Sequence, residues 1–289
     1  MRIAGAPISW GVCEVPGWGH QLEPRRVLAE MSRLGLTATE FGPDGWLPSD
    51  TAQRAGMLAD ENLAPVGAFV PVVLHDRDAD PAPEVRRALE GFRSAGGDVL
   101  VLAAASGADG YDARPVLNEG EWETVYANLD RIAELAADYG VKPSLHPHVG
   151  TMVETSDEVE RVLQNSSIPL CLDTGHLLIG GTDPAELVTR YAERVNHVHA
   201  KDVRVSIAEQ VRSGDLTYTE AVRRGIYVPL GEGDVDFASI VRALTAVGYD
   251  GWYVLEQDTI LPGEPQDEGP VRDVERSLAY LRGLEYRPA

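Results

Sequence analysis

The sequence predicts a single (β/α)8 barrel, and three observations carry that prediction. Short apolar runs alternate with longer amphipathic stretches from end to end of the 289-residue chain. Glycines such as Gly35, Gly140 and Gly248 stand between an amphipathic stretch and the apolar run after it, which is helix-then-strand punctuation. No Gly-x-Gly-x-x-Gly follows the first apolar run, so an open doubly wound sheet would lack its usual dinucleotide loop. Eight strand–helix units need about 250 residues, so residues 1–289 read as one domain with room for insertions.

Strands are expected at residues 3–9, 38–41, 64–70, 99–103, 142–146, 170–173, 195–199 and 252–256. They are short and rich in Val, Ile and Leu, as buried parallel strands are. Between them, apolar residues at three- and four-residue spacing predict helices at 25–34, 51–61, 84–95, 121–139, 156–164, 184–191, 237–247 and 271–282. Ser156 is placed to cap the helix beginning Asp157-Glu158, and Asp183-Pro184 puts proline in a first helical turn. Pro- and Gly-rich insertions follow the strands, the longest at residues 203–236. Insertions of that length carry function or lack order. Helical patterning at 207–212 and 219–223 predicts a folded lid over residues 203–235.

Bulk properties exclude several classes. The 25 Lys and Arg against 46 Asp and Glu give a net charge of −21, which opposes binding to phosphate backbones, so no nucleic-acid partner is expected. No run of about 18 apolar residues exists for a membrane span, and the first ten residues are too strand-like for a secretory signal. Cys13 and Cys171 form neither a disulfide framework nor a CxxC pair, and a reducing cytoplasm is the expected location.

The chemistry gathers at strand ends. In parallel α/β folds the carboxyl ends of strands face the active site. Side chains alternate with period two, so Cys171 and Asp173 share a face, as do His197, His199 and Lys201, and Trp252, Val254 and Glu256. Each of these strands therefore aims one ligand-type residue inward at its end: Asp173, His199 and Glu256. The fifth strand adds His146, with His148 on the same face and expected to contact substrate. Carboxylates with imidazoles suit Mn²⁺, Co²⁺, Fe²⁺, Mg²⁺ or Zn²⁺ and leave coordination positions open for substrate oxygens. A lone strand-end aspartate is ordinarily a helix cap and a lone histidine a core residue; four such positions in register are not. His197, one layer deeper, reads as core or as support for the ligands.

These residues carry a resemblance. Ala6-Pro-Ile-Ser-Trp-Gly11, His146-Pro-His-Val-Gly-Thr151, Leu172-Asp-Thr-Gly-His176, His197-Val-His-Ala-Lys-Asp202 and Tyr249-Asp-Gly-Trp-Tyr-Val-Leu-Glu256 resemble the sugar isomerase/epimerase superfamily of xylose isomerase-type barrels. Within it the chain is most similar to the myo-inosose (2-keto-myo-inositol) dehydratases, from its first strand to its last helix. The resemblance implies Asp173, His199 and Glu256 as metal ligands, His176 as a substrate-contacting or supporting histidine, and a dimer or tetramer. It also implies a divalent metal, Mn²⁺ or Co²⁺ foremost. Epimerases and ketose isomerases of the group end strand five with a glutamate that serves as ligand and base; here His146 stands there.

That departure steers the expected reaction. Epimerisation beside a carbonyl wants a base on each face, usually two carboxylates flanking the metal. Losing water from a β-hydroxy ketone wants one base, a stabilised enolate and an acid for the departing hydroxyl. One carboxylate at strand eight and histidines at strand five fit the second inventory. The expected activity is a metal-dependent hydro-lyase acting on a keto-polyol of inositol catabolism. His146, His176 or Lys201 would move protons, while Glu256 and Asp173 fix the metal. Trp18 and Trp46 either stack on a polyol ring or fold back over the core. Glu40 either binds substrate hydroxyls or pairs with Lys201 or an arginine, and Arg204 either contacts substrate or is solvated. Competing readings are a sugar isomerase or epimerase, a keto-glycoside-processing enzyme, an abasic-DNA endonuclease barrel opposed by the charge, and a non-catalytic binding barrel.

Overall fold

A computed structural model describes residues 1–285 of the chain. Its strands are β1 Arg2–Gly5, β2 Ala38–Thr39, β3 Ala64–Pro65, β4 Gly67–Val73, β5 Val99–Ala105, β6 Lys142–Leu145, β7 Leu170–Asp173, β8 Val195–Ala200, β9 Asp202–Val203, β10 Tyr227–Val228 and β11 Trp252–Leu255. The α-helices are α1 Pro24–Arg33, α2 Thr51–Asp60, α3 Ala82–Ala95, α4 Glu119–Asp138, α5 Ser156–Asn165, α6 Thr174–Ile179, α7 Pro184–Tyr191, α8 Val205–Arg212, α9 Tyr218–Arg223, α10 Phe237–Ala246 and α11 Gly269–Glu285.

Nine strands form one parallel sheet in the order β3-β2-β1-β11-β8-β7-β6-β5-β4. Its first and last members are consecutive in the chain, separated only by Val66. Val66 donates to Thr39 O, and its own carbonyl accepts from Asp98 and Val99. The sheet thus curls into a nearly closed barrel, and β3 with β4 is the single third strand expected from sequence. Helices pack outside the ring, where Val27, Leu28, Val85, Leu89, Leu129 and Ile132 are buried. The inside of the ring is plugged by small side chains such as Ala4, Ala6, Ala38, Val99, Val101 and Val254. Among the described residues no helix is long and apolar enough to cross a membrane.

Several boundaries differ from expectation for local reasons. The first strand stops at Gly5, and Pro7–Trp10 is a 3-10 turn ended by Gly11 at φ 79°. Pro7 has no N–H to give a ladder and its ring fixes a turn-like φ. The fifth helix starts one residue earlier than Ser156 suggested: Thr155 is its cap, and Glu158 reaches back to accept from the Thr155 N–H at 2.9 Å. Asp183 caps α7 as its spacing indicates, accepting from Ala185 N–H at 2.8 Å. The short α6 was not anticipated; it begins on Asp173, whose Oδ1 accepts from Gly175 and His176 N–H at 3.0 and 2.8 Å.

The insertion after β8 is folded. It contains α8, α9 and a small antiparallel pair, β9 with β10. Buried Asp202 ties it down: Oδ1 accepts from Val203 and Val235 N–H at 3.0 Å each, and Oδ2 from Gly231 at 2.8 Å and Gly233 at 3.0 Å. Gly233 is needed for this approach, since a Cβ there would sit 2.3 Å from Asp202 Oδ1. Replacing Asp202→Ala takes the acceptor from the buried Val235 N–H and the part-buried Gly231 and Gly233 N–H groups, so urea denaturation should show a loss of about 2 kcal/mol. Limited proteolysis should then cut first within residues 203–235; unchanged stability and cleavage would show that the insertion is held elsewhere.

Candidate metal centre and active site

Parallel register sets Asp173 opposite His199 and Val254 opposite His199 on its other side. The inward residues at these strand ends therefore meet at one level. His146, just past β6, has Nε2 at 3.1 Å from both Asp173 Oδ2 and His199 Nδ1. Glu256, just past β11, has Oε2 at 3.0 Å from His199 Nδ1, which is 3.5 Å from Asp173 Oδ2. One donor atom from each of Asp173, His199 and Glu256 lies within 4.8 Å of the others. Bonds of about 2.1 Å to a divalent ion put adjacent donors about 3.0 Å apart in an octahedron and about 3.4 Å apart in a tetrahedron. The donor set fits such an ion in both spacing and chemistry.

The surroundings orient these donors. Glu40 Oε1 lies 2.8 Å from His197 Nε2 and 3.0 Å from His199 Nε2. A proton on His199 Nε2 directed at Glu40 leaves Nδ1 as the lone-pair nitrogen facing the other donors. Burial opposes the Glu40 charge, but His199 and His197 hold its carboxyl well below the usual range. Asp173 divides its oxygens: Oδ1 caps α6 while Oδ2 faces the donor set. Two other groupings include His199, one with His146 and Cys171 and one with Glu40 and His197. Burial pushes the Cys171 thiol up, away from the thiolate a ligand would need, and Glu40 is already committed to the two imidazoles.

Lys201 lies beside this set, with Nζ 3.0 Å from Glu256 Oε2, 3.4 Å from Asp173 Oδ2 and 2.7 Å from Asp258 Oδ1. Burial disfavours the ammonium, yet Asp173, Asp258 and Glu256 raise its pKa well above the ordinary lysine value. Asp258 leaves the ammonium a partner when an ion takes the other two carboxylates. Thr174 secures the Lys201 backbone, donating to Lys201 O at 2.6 Å and accepting from Lys201 N–H at 2.9 Å. Gly175 makes room: a Cβ there would lie 2.7 Å from Lys201 Cβ.

A cavity of about 580 Å³ opens over these groups, lined among others by His146, His148, His199, Lys201, Glu256 and Asp258. His148 stacks between Tyr111, at 4.4 Å between ring centroids, and His176, at 3.7 Å. His148 Nδ1 donates to Val149 O at 2.6 Å, which leaves Nε2 as its lone-pair nitrogen. Burial, with help from His146 and Lys201, lowers the His148 pKa well below the usual histidine value; burial, His148 and Lys201 do the same to His176.

The structure rearranges some expected contributors. His176 is behind His148 and is not among the cavity-lining residues; Nδ1 takes the Val149 N–H at 3.3 Å and Nε2 faces Lys201 Nζ at 3.1 Å. Glu40 pairs with neither Lys201 nor an arginine; its near oxygen is engaged by the two histidines at the edge of the cavity. Arg204 is exposed, outside the cavity, and donates to Gly225 O at 2.8 Å, because the helical turn starting at Val205 carries it outward. Trp18 lines the cavity while its Nε1 donates to Thr259 O at 2.9 Å; Trp46 folds back to donate to Leu22 O at 2.8 Å. Asp258, Tyr218 and Tyr111 went unread in the sequence and line the cavity, as does Glu14 of the first loop. Asp258 had a signal, being two residues beyond Glu256 on the same alternation; Tyr218 opens α9, and Tyr111 and Glu14 come from loops without periodicity.

Replacing Glu40→Gln should weaken metal binding about 10- to 100-fold, the usual effect of losing a carboxylate behind a ligating histidine. Titration calorimetry of the stripped protein measures this, and unchanged affinity would remove Glu40 from the metal's support. A second outcome concerns pH. His148 stays neutral in the fold but takes a proton in the unfolded chain below about pH 6.5. Its contribution is therefore present above that pH and lost as pH falls. The stability gap between the wild type and His148→Gln should narrow from pH 7 to 5, by at most about 1.4 kcal/mol per unit. A gap that widens in urea denaturation at the two pH values would contradict this.

The sequence pattern of the xylose isomerase-like TIM barrel family matches residues 28–284. The chain is 36% identical over 267 residues to the rhizopine catabolism protein MocC of Rhizobium meliloti, covering 89% of this chain and 82% of that protein. It is 33% identical over 271 residues to an inosose dehydratase of Geobacillus kaustophilus (strain HTA426), covering 89% and 87%. Among solved structures it is similar to an L-ribulose 3-epimerase, with TM-score 0.71, 19% identity and coverage of 98% and 94%. It is also similar to the IolI protein bearing a zinc atom, with TM-score 0.68, 15% identity and full coverage of both chains, 100% each. At those identities the two structures share the fold with this chain. The family match and the relatives above 30% identity agree: the chain belongs to the xylose isomerase-like TIM barrel family.

Proposed function

We propose that the protein is a metal-dependent hydro-lyase that removes water from a ring keto-polyol, with 2-keto-myo-inositol as the first substrate to test. The observation that carries this reading is His146 at the end of strand six of the chain, in the donor set where an isomerase of the group would place a second carboxylate. Kinship with a named inosose dehydratase over most of both chains supports it. In balance, the ring loses its α-proton and its β-hydroxyl as one water, and the enol left behind tautomerises to a diketone.

His146, Asp173, His199 and Glu256 would hold a divalent ion, Mn²⁺ or Co²⁺ foremost with zinc suggested by the IolI relative. Such an ion, when bound, supplies Lewis acidity at the substrate's carbonyl oxygen. The protein's own groups divide the proton work. His148 presents a neutral Nε2 to the cavity and serves as the base for the α-proton. Lys201, held as an ammonium among Asp173, Asp258 and Glu256, serves as the acid for the departing hydroxyl. His176 stacks behind His148 and fixes its ring. Residues 203–235 act as the lid, with Tyr218 of α9 donating to Asp258 Oδ2 at 2.6 Å above the site. With two free cysteines and a strongly acidic composition, we place the protein in a reducing cytoplasm, and the family resemblance of its motifs implies a dimer or tetramer.

Metal-loaded protein incubated with 2-keto-myo-inositol should generate diketone absorbance. Exchange of the α-proton without that chromophore would favour an epimerase instead. His146→Ala should weaken metal binding and lower turnover at least about 100-fold, whereas His148→Gln should keep the metal and lower kcat about 100-fold. Full metal content and full turnover in His146→Ala would sink the scheme.

A further inference from the structure

Five carboxylates gather at the reaction end of the cavity: Glu14, Glu40, Asp173, Glu256 and Asp258. Among the described residues Lys201 is the only side-chain ammonium or guanidinium there, and it is enclosed by Asp173, Glu256 and Asp258. A divalent ion in the donor set still leaves an excess of two negative charges. The two arginines that line the rest of the cavity belong to the recess beside α2 and α3. There Arg54 donates to Pro48 O at 3.1 Å and Arg87 pairs with Asp44 at 3.3 Å. Among the described residues Arg87 is thus paired with a carboxylate, and Arg54, held by a backbone carbonyl, keeps its charge in that recess rather than beside the five carboxylates.

Of the five carboxylates, Glu14 is the one left without a strong cationic or metal-donor role. Unlike the other four it is an exposed residue, rising from the loop after the first strand, and the Tyr111 hydroxyl donates to its Oε1. Its second oxygen, Oε2, has only the Cys13 thiol at 3.6 Å, a weak donor. Tyr111 in turn lies against His148, so the Glu14 carboxylate is fixed relative to the histidine that faces the reacting ring. A fixed carboxylate with a spare oxygen accepts from a hydroxyl or an ammonium and repels a carboxylate, sulfate or phosphate ester.

We propose that Glu14 is a specificity-determining residue that makes the cavity read substrate charge, admitting uncharged and amino-bearing ring polyols and rejecting anionic ones. This rests on reading the cavity as a polyol site and names its substrate class. The chain's net charge of −21 acts in the same direction at long range, lowering the local concentration of anions at the barrel mouth.

Binding, not turnover, tests it. The probes are myo-inositol, an amino-inositol and myo-inositol monosulfate, titrated calorimetrically into the metal-loaded full chain. Wild type should bind the amino and neutral rings at least about tenfold more tightly than the sulfate, the scale of one charge-assisted hydrogen bond. Glu14→Gln should shrink that preference about tenfold, and Glu14→Lys should reverse it, each with wild-type metal content and circular dichroism. Tyr111→Phe, which keeps the charge but frees the carboxylate, should weaken all three ligands without erasing the order. An unchanged charge preference in Glu14→Gln, or equal binding of the three rings by wild type, overturns the proposal. Absence of diketone formation beside an intact charge preference would fault the dehydration chemistry and leave Glu14's role standing. If none of the three rings binds, the polyol reading falls and this inference with it.

Discussion

Four carboxylates, Glu40, Asp173, Glu256 and Asp258, are buried within one barrel mouth, and the rest of the site follows from what their burial requires. A buried charge without a partner costs several kcal/mol, so each must be met by a donor, a cation or an ion. Glu40 is met by two imidazoles and Asp258 by Lys201 and Tyr218. Asp173 spends one oxygen on two backbone N–H groups. What remains is Asp173 Oδ2 and Glu256 Oε2, converging with His199 Nδ1 beside a single ammonium. A set so weighted toward lone pairs is electrostatically incomplete, which is the physical sense in which it is poised for a cation.

The same constraint reaches outward through the loops. Tyr218 joins the lid to Asp258, Asp112 caps the lid's α9 by accepting from Thr219 N–H at 2.9 Å, and Trp18 joins the first loop to Thr259 at 2.9 Å. The Lys201–Asp202 step between β8 and β9 links the two scales. Lys201 points into the site while its neighbour Asp202 turns away and gathers the lid's return loop. Adjacent residues on an extended chain face opposite ways, so one segment, His-Val-His-Ala-Lys-Asp, supplies both an interior cation and an exterior anchor.

How much of this was legible in the sequence depends on periodicity. Asp173, His199, Glu256 and His146 could be read because each ends a strand whose alternation fixes which way it points, and register between parallel strands does the rest. The barrel itself was legible for the same reason. The loop contributors were not: Tyr111 and Glu14 come from segments 97 residues apart that share no period, and only the folded chain brings them together. Local exceptions also hid from pattern. Pro7 breaks a run that otherwise reads as strand, and Arg204 reads as a mouth residue until the helix starting at Val205 turns it outward.

The choice between dehydration and epimerisation finally turns on the number of free bases rather than on the fold, which both chemistries share. Glu256 is tied to His199 and Lys201, and Asp173 to the α6 terminus and His146, so neither carboxylate stands free on one face of a bound ring. Of the histidines, His146 and His199 sit in the donor set, His197 is locked to Glu40, and His176 has both nitrogens engaged. His148 alone presents an uncommitted nitrogen to the cavity, and Lys201 faces it as a charged donor. One neutral imidazole and one ammonium form an asymmetric pair. Inverting a stereocentre reversibly needs on each face a group that can both give and take a proton, whereas expelling a hydroxyl needs one acceptor for the α-proton and one donor for the leaving oxygen. The inventory of this mouth meets the second requirement.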